Sequence, residues 1–157
     1  MTQTLNRPTK LLLVDDDPSM IRLLTRIIER QFEGAIELTS LVDPKEARKR
    51  IEEQLIEILI TDLEMPGING LELLRCAKRR NACTQVLFMT GHSTLDALTD
   101  ALEAGATDYL LKPLDQEQLI KLVGDTQERL VRWREALSGT LSDIARERNT
   151  TVARYTA

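Results

Sequence analysis

Short apolar runs closed by acids or hydroxyls alternate along this chain with segments whose apolar residues recur every three or four positions. The run at 10–15 is continuous, as expected of a strand buried on both faces. Asp17-Pro18 then reads as a helix start, with Asp17 capping, Pro18 in the first turn, and Ile21, Leu24 and Ile28 as the apolar stripe. Gly34 closes the connection, and 35–41 alternates like a strand. The same grammar repeats. Asp43-Pro44 with Glu46 opens a helix predicted to run to about Glu53, and 56–61 is the third strand. A loop rich in proline and glycine spans 65–70, and Leu71, Leu74 and Ala77 mark the next helical face. The fourth strand is 85–90. Ser93 and Asp96 read as a capping box for a helix stopped by Gly105. The fifth strand is 107–111, and Asp115 with Gln118 starts the last helix.

Five strand–helix units in alternation predict an α/β fold with a parallel sheet and helices on both faces. A flavodoxin-like doubly wound (βα)5 sheet with strand order 2-1-3-4-5 suits the length. It places a crevice at the carboxyl ends of the first and third strands.

The last helix overruns its unit. Leu119, Val123, Thr126, Leu130, Trp133, Leu137, Leu141 and Ile144 keep a three–four spacing, and only the first four fit against a sheet. The expected organisation is one domain over 9–129, followed by a helical extension over 130–157 with no separate output domain. Ser138-Gly139 is predicted to break or kink the helix, and 149–157 to be loose. Two readings of the extension stay open: it folds back on its own domain, or it pairs with a partner or a second copy.

Composition narrows the function classes. Among 157 residues 42% are hydrophobic and only 3% aromatic, so the core is aliphatic. Net charge is -4, and the clusters Arg48-Lys49-Arg50 and Lys78-Arg79-Arg80 read as solvated helix faces rather than nucleic-acid contacts; no direct DNA binding is expected. There is no signal-peptide pattern and no apolar run of membrane-spanning length. Cys76 and Cys83 have no ligand spacing, and His92 is the single histidine, so a reduced cytoplasmic protein without a disulfide or histidine-rich metal site is expected.

The strand ends carry the chemistry. Asp15 and Asp16 end the first strand and Asp62 the third, its neighbour in the proposed order. Three crowded carboxylates repel one another unless a cation sits among them, and an all-oxygen set that leaves room for water selects Mg2+. Thr90 before Gly91 offers a hydroxyl donor. Lys112, held extended by Pro113, can pair with a carboxylate at rest and with a phosphoryl oxygen after transfer. A carboxylate nucleophile, a magnesium ion, a lysine and a hydroxyl together stabilise a transferring phosphoryl group.

With these residues in place, the chain resembles the receiver domain of bacterial two-component response regulators, in a single-domain, chemotaxis-regulator-like form, over about residues 9–129. The resemblance implies that Asp62, in the motif Ile-Thr-Asp-Leu-Glu-Met-Pro-Gly, is the phosphoacceptor. It implies that Asp15, Asp16 and Asp62 hold Mg2+ with the backbone carbonyl of Glu64, Asp16 being the direct ligand of the pair. Thr90 and Lys112 match the switch hydroxyl and the phosphate-pairing lysine. Tyr109 matches the aromatic that turns inward on activation; a tyrosine capping the sheet edge predicts the same burial and stays open as the other reading. Glu64 and His92 match positions that tune hydrolysis. The implied partners are a sensor histidine kinase or phosphotransfer protein as donor and a downstream protein target. The implied activity is a signalling switch, not an enzyme, that catalyses its own phosphorylation and slow dephosphorylation. By the resemblance the signal leaves through the fourth helix, fifth strand and last helix; beyond the resemblance, the uncovered apolar stripe leads us to expect that the extension carries the output, with a homodimer through it as one arrangement.

Two alternatives are weighed against this. A phosphatase resembling the haloacid dehalogenase family would use Asp15 as nucleophile and Asp17 as acid/base. Pro18 and Ser19 follow Asp17 in place of the favoured threonine or valine, no acidic pair follows Lys112, and the Asp62 loop would have no purpose. A pseudo-receiver, keeping the fold without phosphorylation, is opposed by the filled acidic positions.

Overall fold

The computed structural model describes residues 7–91 and 94–155, with side-chain surroundings through 148. Strands β1 (Thr9–Val14), β2 (Ile36–Leu41), β3 (Ile58–Asp62), β4 (Gln85–Thr90) and β5 (Asp108–Leu111) alternate with helices α1 (Pro18–Gln31), α2 (Pro44–Glu53), α3 (Gly70–Arg80), α4 (Leu95–Glu103) and α5 (Gln116–Tyr155). The strands form one sheet in the order β2-β1-β3-β4-β5, with every pair parallel. This is the flavodoxin-like arrangement that the alternation predicts.

Side chains on a strand alternate between faces, so each buried run feeds two cores. Leu12, Val14, Leu59, Val86 and Phe88 meet α2, α3 and α4 through Ala47, Ile51, Leu73, Leu74, Ala77 and Ala101. Leu11, Leu13, Ile58, Ile60, Leu87 and Met89 meet Leu24 and Ile28 of α1 and Leu119 and Val123 of α5. Each fully buried aliphatic side chain contributes roughly 1.5–3 kcal/mol, which is how a chain with few aromatics holds together.

The helix starts are set by side-chain caps. Asp17 accepts from the Ser19 amide at 2.8 Å and Asp43 from the Lys45 amide at 2.9 Å, each followed by a proline in the first turn. Asn69 caps α3 through the Glu72 amide at 3.0 Å, a role hidden inside the predicted loop. The cap of α4 is Thr94, whose hydroxyl accepts from the Ala97 amide at 3.1 Å. The capping box predicted at Ser93 is thereby corrected by one residue; Ser93 and His92 lie outside the described residues. Gly105 ends α4 with φ of +94°, a conformation that suits glycine. At the start of α3, Gly70 lies against the Asp62 carbonyl, where a Cβ would overlap that oxygen and approach the Phe88 ring to 2.9 Å.

The predicted break at Ser138-Gly139 does not occur, and 149–155, expected to be loose, is helical; 156 and 157 lie outside the described residues. Helix α5 is continuous from Gln116 to Tyr155. A lone glycine costs a helix only about 1 kcal/mol, and no proline follows. Thr140 and Ser142 return their hydroxyls to the Ala136 and Ser138 carbonyls at 2.9 and 3.0 Å, a pattern compatible with continued helix. Leu119, Val123 and Thr126 are buried on the sheet and Leu130 is half-buried, but Trp133 is 63% and Leu137 60% exposed. The helix therefore projects past the sheet as a stem, and the fold-back reading is corrected.

The stem is clamped where it leaves. Arg134 donates to Glu57 Oε1 at 2.9 Å and to the Arg7 carbonyl at 3.0 Å. Arg7 grips both Glu57 oxygens at 2.8 and 3.0 Å, and the Lys10 amide donates to Oε2 at 2.9 Å. Burial works against the Glu57 charge, but Arg7, the Lys10 amide and Arg134 outweigh it and hold the carboxyl below the ordinary glutamate range. A depressed folded pKa means stability that is fully present above the unfolded value and is lost as pH falls through the folded one.

Two consequences are measurable by denaturant unfolding. Glu57→Gln should lower stability at neutral pH by about 1–3 kcal/mol and flatten the acid-side loss below the glutamate range; an unchanged acid limb would show that the clamp carries no linkage. Gly70→Ala should cost about 1–3 kcal/mol by overpacking against Asp62 and Phe88, and an unperturbed midpoint would mean the backbone yields there freely.

Candidate functional site

The carboxyl ends of β1, β3, β4 and β5 open on one crevice, as the strand order requires. Asp15 follows β1 and is fully buried, while Asp16 beside it is exposed. Asp62 closes β3 and is 8% exposed, enough for its carboxylate to reach solvent. Carboxylate oxygens of Asp15, Asp16 and Asp62 lie within 4.8 Å of one another. Oxygen donors alone, gathered this tightly, fit a hard divalent cation better than any soft metal.

Lys112 enters from β5. Its backbone amide bonds the Thr90 carbonyl at 2.8 Å, which ties the end of β5 to the end of β4, and its bond to Pro113 is cis. Its ammonium donates to Asp15 Oδ2 and Asp62 Oδ2, both at 2.9 Å. Burial disfavours the ammonium, yet the two carboxylates outweigh it and hold its pKa above the ordinary lysine range. The remaining oxygens are also engaged: Asp15 Oδ1 accepts from the Asp17 amide at 2.9 Å and Asp62 Oδ1 from the Glu64 amide at 3.2 Å. Partial loss of water, and then the charges of Asp15 and Asp62, hold the Asp16 carboxyl above its usual range. One ammonium does not neutralise three acids, so the crevice keeps an affinity for a further cation.

Thr90, at the end of β4, is buried, and its hydroxyl is the one buried side-chain polar atom among the described residues without a hydrogen-bond partner. Leaving a donor unpaired costs about 1–3 kcal/mol, a penalty that an incoming acceptor relieves. The acid cluster and this hydroxyl together fit a magnesium–phosphoryl group by charge and by donor type.

The crevice thus brings together Asp15, Asp16, Asp62, Thr90 and Lys112. Tyr109 stands apart on β5, half-exposed, beside a cleft of about 270 Å³ whose walls include Leu63, Phe88, Ala101 and Leu102. The Glu64 side chain is exposed at the rim, and His92 lies outside the described residues. Asp17 serves as the cap of α1, which removes it from the acid/base role that the phosphatase reading requires. Nothing in the sequence marks Gly70, because a glycine at the first position of a helix carries no sign that a strand-end carbonyl lies against it.

The response regulator receiver domain profile matches residues 11–124. The DNA-binding transcriptional regulator NtrC of Escherichia coli K12 is 34% identical over 140 residues, which are 86% of this chain and 29% of that protein. The chain therefore spans less than a third of the length of this relative. A response regulator receiver protein from Pseudomonas putida superimposes with a TM-score of 0.67 at 29% identity, covering 76% of this chain and 97% of the other. A CheY-like receiver domain protein from Methanospirillum hungatei JF-1 shares the fold, with a TM-score of 0.72 at 24% identity over 78% of this chain and 95% of that one. A phosphatase of the dehalogenase type is excluded by the same match, and the chain belongs to the response regulator receiver domain family.

Proposed function

We propose that this chain is a phosphoacceptor switch in which Asp62 takes a phosphoryl group from the phosphohistidine of a sensor histidine kinase or phosphotransfer protein. The observation that carries this reading is the meeting of Asp62 with Asp15 and Asp16 under a shared lysine, next to an unpaired buried hydroxyl. An Asp62 oxygen attacks phosphorus, the phosphorus–nitrogen bond breaks, and the imidazole leaves with its electron pair. Lys112 then exchanges a carboxylate oxygen for a phosphoryl oxygen, and the Thr90 hydroxyl donates to another. Asp15, Asp16, Asp62 and the Glu64 carbonyl would hold Mg2+, which when bound neutralises charge on the transferring group. No histidine ligand is needed for that role.

Phosphorylation would bias a two-state surface. Thr90 moving towards the phosphoryl group vacates space at β4, and the Tyr109 ring can turn from solvent towards the adjoining cleft. The surface so altered is α4, β5 and α5, which would face the downstream protein target. The receiver unit would be 9–129 and the stem an appended arm. No described helix is long and apolar enough to cross a membrane, and a cytoplasmic location suits a switch fed by a kinase.

Acetyl phosphate labelling followed by mass spectrometry should add one phosphoryl group in the presence of magnesium, none after chelation, and none in Asp62→Asn. Label retained in Asp62→Asn but lost in Asp15→Asn would overturn the assignment. Glu64 sits two residues past the acceptor with its acid at the rim. Glu64→Asn should change the lifetime of the phosphoryl group; identical decay rates would remove Glu64 from hydrolysis control.

A further inference from the structure

The stem carries an uncovered face with an internal order of its own. Leu119, Leu130, Leu141 and Val152 recur at intervals of eleven residues, as do Leu122, Trp133, Ile144 and Tyr155, with Thr126, Leu137 and Arg148 forming the third series. Eleven residues over three turns lie close to the natural pitch of an α-helix, so the face stays on one side of a nearly straight rod. Its first repeat is satisfied within the domain: Leu119 and Thr126 are buried on the sheet, and Leu122 and Leu130 are half-buried. From Trp133 onward the same face is uncovered as far as Ile144, with Leu141 66% and Ile144 48% exposed in addition to Trp133 and Leu137. Apolar surface concentrated on one stripe of a helix, with Arg132, Glu135 and Asp143 turned elsewhere, calls for a partner helix.

We propose that the stem pairs with the stem of a second copy of this chain, antiparallel, about a two-fold axis passing between Ser142 and Asp143. The repeat reads the same in both directions from that point. Leu141 of one copy opposes Ile144 of the other, and Trp133 falls level with position 152 of the partner helix. Leu137 opposes Arg148, whose aliphatic stem can lie along it while the guanidinium reaches water.

A parallel pairing in register meets two obstacles. It sets Arg148 against Arg148 on the paired face, a like-charge contact with no gain. It also drives the upper half of the second helix into the sheet, because Leu119 and Val123 bury this same face of α5 against β-strand residues only one interhelical distance away. An antiparallel copy instead brings the end of the second helix beneath the amino edge of the sheet. A corner of about 510 Å³ lies open there, between Glu57, Cys83 and Gln85 above and Leu130, Trp133 and Leu137 at the side. The overlapped stems span roughly 37 Å at 1.5 Å per residue, long enough to approach the ~800 Å² per partner of a standard interface.

The stem leaves the sheet at the edge opposite the acidic crevice, so this association does not depend on Asp62 and is tested without phosphorylation. Sedimentation of the full chain from micromolar to near-millimolar concentration should give a dimer, and Leu141→Glu with Ile144→Glu should give a monomer with unchanged helical circular dichroism. A wild-type monomer throughout, or a dimer that survives the double substitution, overturns the proposal. Orientation is read by nitroxide labels at Arg132→Cys in a Cys83→Ser background. The antiparallel pair separates them by about 31 Å along the axis alone, whereas labels within about 20 Å of each other mean parallel stems one interhelical spacing apart and overturn it equally.

Discussion

Lys112 joins the carboxylates of Asp15 and Asp62 across the ends of β1, β3 and β5, and the chemistry of the crevice depends on that ion triad. Asp15 is fully buried, and an unpaired buried carboxylate costs several kcal/mol. The lysine removes that penalty only because β5 pairs with β4 and ties the Lys112 amide to Thr90. Sheet register is therefore what makes three acids tolerable in one place. The balance is incomplete by design of charge: a single ammonium against three carboxylates leaves Asp16 raised above its ordinary range and a donor set suited to a hard cation.

The opposite edge of the sheet holds a second ion network of different character. Glu57 is shared by Arg7, Arg134 and the Lys10 amide, so its charge is fully answered. Where the crevice keeps an unpaired hydroxyl and surplus acid, this network keeps neither. Helix α5 connects the two edges, starting next to Lys112 and passing the clamp at Arg134. The lower part of α5 is therefore anchored to the sheet by Arg134, while its first turns lie beside the strand ends that form the crevice.

Legibility followed the range of the interaction involved. Buried runs such as 10–15 and 85–90 identified their strands because both faces of a parallel sheet demand apolar side chains, and Asp17 and Asp43 announced their helices because a cap acts within three residues. The start of α4 differs by one residue from the local signal because serine and threonine are both competent caps, and local chemistry does not choose between Ser93 and Thr94. Gly139 resembles a helix stop because glycine commonly ends helices, yet nothing after it competes with the helical hydrogen bonds. Glu57, Asn69 and Gly70 looked ordinary, since what distinguishes each is a neighbour brought close by folding.

By itself the sequence determined the alternation of elements, the sheet order that this alternation permits, and the identity of the acids, hydroxyl and lysine at the strand ends. Those follow from periodicity and backbone propensity, which act over a few residues. Only the tertiary structure decided that Lys112 bridges Asp15 and Asp62, that Thr90 is left unpaired, and that Arg134 fastens the stem to Glu57. Such contacts join residues that folding brings together from distant parts of the chain, and their geometry exists only once the strands are in register.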